Sequence, residues 1–264
     1  MFLVDSHCHI SNLNSINDNI LINNIINRAF KKNIKFILAV STSIKDFYKI
    51  KKIIKNKKNI KCSCGIHPSY INNKEDFTEL KKISKHNLVI AIGETGLDYY
   101  KCYTPKIKQQ NIFRKHINIA CSEKKPLIVH TRNAIQDTLS ILKEEKAEKC
   151  SGVIHCFNED IIAAKKILDI NFYISFSGII TFKNTNKFID IIKFVPISKI
   201  LIETDSPYLS PEPYRGIKNE PSFLIEIAKK IAIIKNKSIN EIAKQTTKNF
   251  FKLFNKVTNF NMKH

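Results

Sequence analysis

Six residues of the kinds that hold divalent cations stand one by one at the downstream ends of successive apolar runs: His7 and His9, then Glu94, His130, His155 and Asp205. Imidazole nitrogen and carboxylate oxygen together suit zinc or manganese, and with more oxygen donors magnesium. In a β-strand, residues two apart point the same way, so His7 and His9 can grip one ion while Cys8 turns to the opposite face. Asp5, two residues earlier, is expected to orient an imidazole from behind. Glu94 lies between Gly93 and Gly96, which are expected to form a tight turn that leaves the carboxylate free. Its two oxygens can serve two ions about 3.5–4 Å apart, the spacing that stabilises both attacking and leaving oxygens in phosphoryl transfer. His130 follows Pro126-Leu-Ile-Val and His155 follows Gly152-Val-Ile. A lone histidine at a strand end is often a satisfied core residue, but two at equivalent edges point to ligands. Asp205, stopped by Ser206-Pro207, is placed to bind an ion and to take a proton from attacking water, which makes Asp205 and Glu94 the catalytic candidates.

Bringing these side chains together requires elements that end at a common edge. Eight apolar runs are expected as strands: Phe2–Asp5, Lys35–Val40, Ile60–Cys64, Leu88–Glu94, Leu127–His130, Gly152–His155, Phe172–Phe176 and Ile200–Asp205. They are nearly continuous in Val, Ile and Leu, as parallel strands covered on both faces are, and each is separated from the next by enough chain for a crossover helix. This rhythm predicts an α/β fold of the TIM (β/α)8 barrel type, spanning 1–264 as a single domain, with the ligand set at the C-terminal mouth. After Pro221, which fits a first helical turn, Phe223, Leu224, Ile227, Ala228 and Ile231 make one apolar stripe. Ser238-x-x-Glu241 is a capping box that opens a last helix carrying Ile242, Phe250 and Leu253.

The chain has 264 residues, of which 43% are hydrophobic and 25% charged, an ordinary balance for a globular protein. No apolar run reaches the roughly 20 residues needed to cross a bilayer, and a strand-like segment begins at Phe2, so the expected location is the cytoplasm, away from membranes. Seven cysteines without a CxxC pair are expected to be free thiols, with Cys62 and Cys64 acting as buried hydrophobes. The formal charge of +21 would suit nucleic acid as partner. Only Arg28, Arg114, Arg132 and Arg215 are arginine, however, and generic lysine excess sets solubility as readily as it sets recognition.

The segments DSHCHI, SCGIHP, AIGETGLDYY, PLIVHTR, GVIHCF, YISFSGIITF and LIETDSPYL, followed by PEPYRGIKNEP, run in order from Asp5 to Pro221. In this set the chain resembles TatD-family metal-dependent hydrolases, most closely the YcfH-type branch. The resemblance implies an amidohydrolase-like TIM barrel holding one or two divalent ions (Zn, Mn or Mg) through His7, His9, Glu94, His130, His155 and Asp205. It also implies DNase activity with 3′-to-5′ exonuclease character, so that DNA or another nucleic acid is the expected substrate; no obligate protein partner is expected. His67, in GIHP, matches a position that approaches substrate phosphate. Arg132 and Arg215 adjoin site loops, and their guanidinium geometry matches phosphate. Ser69 and Tyr214 stand where some relatives have histidine, which bears on substrate choice. His86, His116 and His264 match no site motif and are read as surface, helix-packing and tail residues.

The same cation chemistry serves ester or amide hydrolysis, as in removal of a D-amino acid from tRNA. A non-catalytic nucleic-acid-binding barrel is a third reading, which gives no reason to keep imidazoles at strand ends.

Overall fold

The computed structural model describes residues 2–13, 19–72, 75–100, 102–183 and 185–257. Eight strands, β1 (Leu3–Cys8), β2 (Ile34–Ala39), β3 (Ile60–Cys64), β4 (Val89–Asp98), β5 (Leu127–Arg132), β6 (Gly152–Ile154), β7 (Tyr173–Phe176) and β8 (Ile200–Ile202), lie in sequence order in one sheet. Every neighbouring pair from β1 to β8 is parallel. The two edges meet beyond the named strands: Asp205 N–H donates to the His7 carbonyl at 2.9 Å and His9 N–H to the Ser206 carbonyl at 2.8 Å. The Asp5 carboxylate reinforces this seam by accepting from Thr204 N–H and from the Thr204 hydroxyl at 2.6 Å. The sheet is thereby a nearly closed barrel.

Helices α1 (Asn19–Lys31), α2 (Ile44–Ile53), α3 (Phe77–Ser84), α4 (Lys106–Glu123), α5 (Ile135–Glu144), α6 (Ile161–Asp169), α7 (Lys187–Phe194), α8 (Leu224–Lys235) and α9 (Ile239–Leu253) surround it. A 3₁₀ turn at Pro221–Phe223 leads into α8, whose Leu224, Ile227, Ala228 and Ile231 are buried as the stripe predicts. The Ser238–Glu241 capping box at the start of α9 is present in both directions. None of the helices among the described residues is long and apolar enough to cross a membrane.

Alternation along the strands sorts two apolar layers. One set, including Leu3, Ile37, Leu127, Val129 and Ile154, packs outward under the helices, and Cys62 and Cys64 are buried within it. The other, Val4, Phe36, Leu38, Ile90, Ile128, Val153, Tyr173 and Leu201, packs together with Phe250 and Phe254 at the end of α9. Because side chains repeat every second residue, Ile128 and His130 share a face of β5, as Val153 and His155 share that continuing from β6. The apolar filling of the barrel therefore gives way, two residues downstream, to a polar mouth. All seven cysteines are free.

Candidate cation centre

Strand ends differ from the expected ones where the site is built. β1 runs on to Cys8, with His9 immediately after it; β4 continues through Glu94 to Asp98; β8 stops at Ile202, so Asp205 sits on the following segment in left-handed backbone (φ 55°). No turn forms at Gly93 or Gly96. Their φ values of +143° and +136° belong to an irregular stretch of strand, where the register against β5 shifts between Ile92 and Thr95. The glycines serve close approach instead: a Cβ at Gly96 would lie 2.0 Å from the His130 carbonyl oxygen, and one at Gly93 2.5 Å from that of Ile128. Together they seat β5 against β4 and so bring His130 to Glu94.

The two oxygens of Glu94 face two separate groups of donors. Oε2 is 3.5 Å from both His7 Nε2 and His9 Nε2, which are 3.2 Å apart, and Asp205 Oδ1 lies 3.6 and 3.4 Å from the same two nitrogens. Oε1 is 2.9 Å from His155 Nε2, 3.2 Å from His130 Nδ1 and 3.5 Å from His67 Nε2. Donors around an ion bound at about 2.1 Å are separated by about 3.4 Å in a tetrahedral arrangement, and the ligand atoms of His7, His9 and Glu94 stand near that spacing, with Asp205 close to the two nitrogens. Glu94 Oε2 and Asp205 Oδ1 are also buried without a hydrogen-bond partner among the described residues. Buried carboxylate oxygens left in that state, beside imidazole nitrogens, fit a divalent cation. The second group, with Glu94, His67, His130 and His155, offers the same chemistry with more nitrogen.

Sequence reasoning missed the groups that orient the second set. His130 presents Nδ1 to Glu94 because its Nε2 faces Asp98 Oδ2 at 3.3 Å. His155 presents Nε2 because its Nδ1 faces Glu203 Oε1 at 3.3 Å, and Glu203 is held by Cys156 N–H at 2.7 Å. A carboxylate behind an imidazole fixes which nitrogen is free to ligate and raises its basicity. The available signal was position: Asp98 shares β4 with Glu94, and Glu203 stands two residues before Asp205. Asp5 does not play this part. Its carboxylate accepts from the main-chain N–H of His7 and from Thr204, so it ties the seam and touches no imidazole. His116 is a fully buried residue of α4 whose Nε2 accepts the Ile66 N–H at 3.0 Å, bracing the loop that carries His67. His86 is half-buried at the C-terminal side of α3, and His264 lies outside the described residues.

Electrostatics follow from five imidazoles gathered around one buried acid. Burial would raise the Glu94 carboxyl, but the charges of His155 and His67 and the hydrogen bonds from His130 and His155 hold it well below the usual range. Burial would raise Asp205 as well, but the adjoining His9 imidazole and the charges of His7, His9 and His155 hold it below its usual value. Burial also opposes the protonation of His9, yet Asp205 and Glu94 carry it to about 9, and Glu94 and Glu203 push His155 well upward. His7 and His67 go the other way, burial driving both down, His67 to about 3.

A cavity of ≈ 360 Å³ opens above these groups, and Arg132 lines it together with His67, Tyr70 and Tyr208. The Arg132 guanidinium rests 4.2 Å over the Tyr100 ring, without a carboxylate salt-bridge partner among the described residues. Arg215 is elsewhere: its guanidinium stacks 3.7 Å over Phe182 and donates to the Ser210 carbonyl, and it does not line the cavity. The aromatic face beside it captures the side chain on the loop that follows β8.

A family profile described as TatD related DNase matches residues 4–255. An uncharacterized metal-dependent hydrolase of Buchnera aphidicola subsp. Baizongia pistaciae is 53% identical over 97% of this chain and 97% of its own. The metal-dependent hydrolase YcfH of Escherichia coli K12, also named as uncharacterized, is 44% identical over 96% of each. Among solved structures, YJJV, a TatD homolog from Escherichia coli K12, superposes with a TM-score of 0.89 at 23% identity, covering 96% of this chain and 98% of that one.

Proposed function

The chain belongs to the TatD family of metal-dependent hydrolases, and from that premise we propose that it is a divalent-cation-dependent deoxyribonuclease that cleaves DNA phosphodiesters from the 3′ end. The observation that carries this reading is the division of Glu94, one oxygen to the His7–His9–Asp205 group and one to the His67–His130–His155 group. Two adjacent cation positions sharing a carboxylate suit in-line displacement at phosphorus, where attacking and leaving oxygens both gather charge. Zinc or manganese matches the imidazole-rich donors better than magnesium does.

Divalent cations held there by His7, His9, Glu94 and Asp205, and by Glu94, His130 and His155, would supply Lewis-acid activation of water and neutralisation of phosphate charge. The chain's own groups do the rest. Asp205 stays ionised, as its lowered pKa requires, and accepts the proton of the attacking water. Glu94 stays ionised for the same reason and keeps both oxygens available. Asp98 and Glu203 hold the rings of His130 and His155 so that one chosen nitrogen of each faces inward. His67, at the cavity wall, and Arg132, held flat by Tyr100, meet the phosphate from above.

The test is a chelator-stripped preparation reconstituted with single metals and assayed on single-stranded DNA, mischarged tRNA and small esters, beside Glu94→Ala. Metal-dependent release of 3′ nucleotides is expected, with Glu94→Ala losing bound metal and at least roughly a hundred-fold in turnover. Turnover of tRNA or esters without DNA cleavage would replace the reading, and wild-type metal content in Glu94→Ala would remove its basis.

A further inference from the structure

The mouth of the barrel carries large aromatic side chains in the open. Tyr70, on the 3₁₀ turn after β3, is 51% exposed, and Tyr208, after β8, is 50% exposed. Scattered exposed aromatics are ordinary on a protein surface and by themselves indicate nothing. These two differ in placement, because both line the one cavity whose floor is Glu94. Each also meets a site imidazole at a steep angle: Tyr208 and His9 have centroids 5.7 Å apart with planes at 66°, Tyr70 and His67 6.3 Å apart at 73°. The phenol rings therefore stand as walls over the donor groups. Asn12 steadies one wall, its amide reaching the Tyr208 hydroxyl at 3.4 Å. A third ring, Tyr100, lies under the guanidinium of Arg132.

A ligand matched to this arrangement has an anionic centre for the floor and flat π-systems set off from it for the walls. A nucleotide chain has that composition, whereas a simple phosphate ester or an acyl group would leave the rings uncovered. Stacking on Tyr rings accepts any base, since every base has a π-face. We propose that Tyr70 and Tyr208 are specificity-determining residues that stack the bases of the nucleotides flanking the scissile bond, while Arg132, seated on Tyr100, keeps its contact with the phosphate between them. The inference rests on the reading of the site as a nuclease and names what else of the substrate it holds.

Stacking separates from phosphate contact in a kinetic comparison. A single-stranded oligodeoxynucleotide and the same oligomer with abasic residues at its last two positions are cleaved by the metal-loaded wild type and by Tyr70→Ala, Tyr208→Ala, Tyr70→Phe and Tyr208→Phe. Each alanine variant is expected to raise KM for the natural oligomer roughly ten- to hundred-fold, the phenylalanine variants to stay near wild type, and the abasic oligomer to show the weak KM on every enzyme. Tyr103→Ala, fully exposed and away from the cavity, serves as the unchanged control. Equal KM for natural and abasic oligomers on the wild type, or unaltered KM in both alanine variants, overturns the proposal.

A second measurement does not depend on cleavage. The chain has no tryptophan, so its intrinsic fluorescence comes from tyrosine. Deoxyadenosine monophosphate is expected to quench it saturably in the wild type and much less in the Tyr70→Ala/Tyr208→Ala double variant, whereas inorganic phosphate is not. Quenching without DNA cleavage would sink the nuclease reading and leave the aromatic subsite standing. Cleavage without quenching would do the reverse.

Discussion

His116 offers a test in which structure fixes both the sign and the size of the effect. The ring is wholly buried, accepts the Ile66 N–H through Nε2 at 3.0 Å and faces the Ile112 carbonyl through Nδ1 at 2.8 Å. Nδ1 must then carry the proton, and a second proton on Nε2 would set N–H against N–H in a dry environment. Burial is the main reason its pKa falls from 6.5 to about 4, the Ile112 hydrogen bond opposing it weakly. The unfolded chain takes up this proton near pH 6.5 and the folded chain only near 4. The associated stability is fully present above about pH 6.5 and is lost as pH falls toward 4, an amount of about 3 kcal/mol at 1.36 kcal/mol per pKa unit. His116→Gln keeps a carbonyl to accept from Ile66 and an amide to face Ile112, but does not titrate. Urea unfolding of both proteins with chelator present, at several pH values from about 7.5 down to 4.5, gives the difference between them free of groups they share. That difference is expected to move by about 2.5 kcal/mol in favour of the glutamine variant across the window, the rest of the change falling below about pH 4.5. A difference that stays flat would refute the assignment of His116 as the neutral brace of the His67 loop.

Three further outcomes follow from contacts already described. Glu203→Gln and Asp98→Asn are expected to weaken cation binding at the His130–His155 group by about 10- to 100-fold, as calorimetric metal titration would show; unchanged isotherms would deny both carboxylates that role. Gly96→Ala adds a methyl 2.0 Å from the His130 carbonyl at a φ of +136°, so thermal or urea denaturation is expected to show a loss of about 2 kcal/mol or more together with lowered metal content. Ser238→Ala removes one half of the α9 capping box and is expected to cost about 1 kcal/mol in denaturation with turnover unaffected, a change in turnover being contrary to a purely local cap.

Much of the barrel was legible because its strands are buried on both faces and so read as nearly continuous apolar runs, as at Leu127–Val129 and Ile200–Ile202. Strand ends were less legible where the chain bends to serve the site. The continuous apolar run ends at Ile92, yet β4 continues through Glu94 and Thr95 to Asp98, because backbone pairing with β5 does not depend on side-chain polarity. Conversely Glu203 to Asp205 look like strand in the sequence, but Asp205 adopts left-handed backbone and only its N–H joins β1. Glycine permits several irregular conformations, so sequence marked Gly93 and Gly96 as special without showing that they seat a neighbouring strand rather than turn the chain.

The ligand-type residues stood out for a related reason: a charged or imidazole side chain directly after an apolar run is out of keeping with its surroundings and draws notice. Glu203 directly follows an apolar run too, Ile200-Leu201-Ile202, and Asp98 follows Leu97; what the sequence does not display is that each faces a histidine on another strand, a relation created by the pairing of the barrel. Arg215 shows the same limit from the opposite side. Proximity in sequence to Asp205 places it on a site loop, but the ring of Phe182, from the loop after β7, competes for the guanidinium and holds it away from the cavity. Arg132 is captured by an aromatic ring as well, and remains at the cavity because Tyr100 is tied through its N–H to Asp98, which lines it. What decides whether such an arginine can meet substrate is therefore the position of its aromatic partner rather than its own.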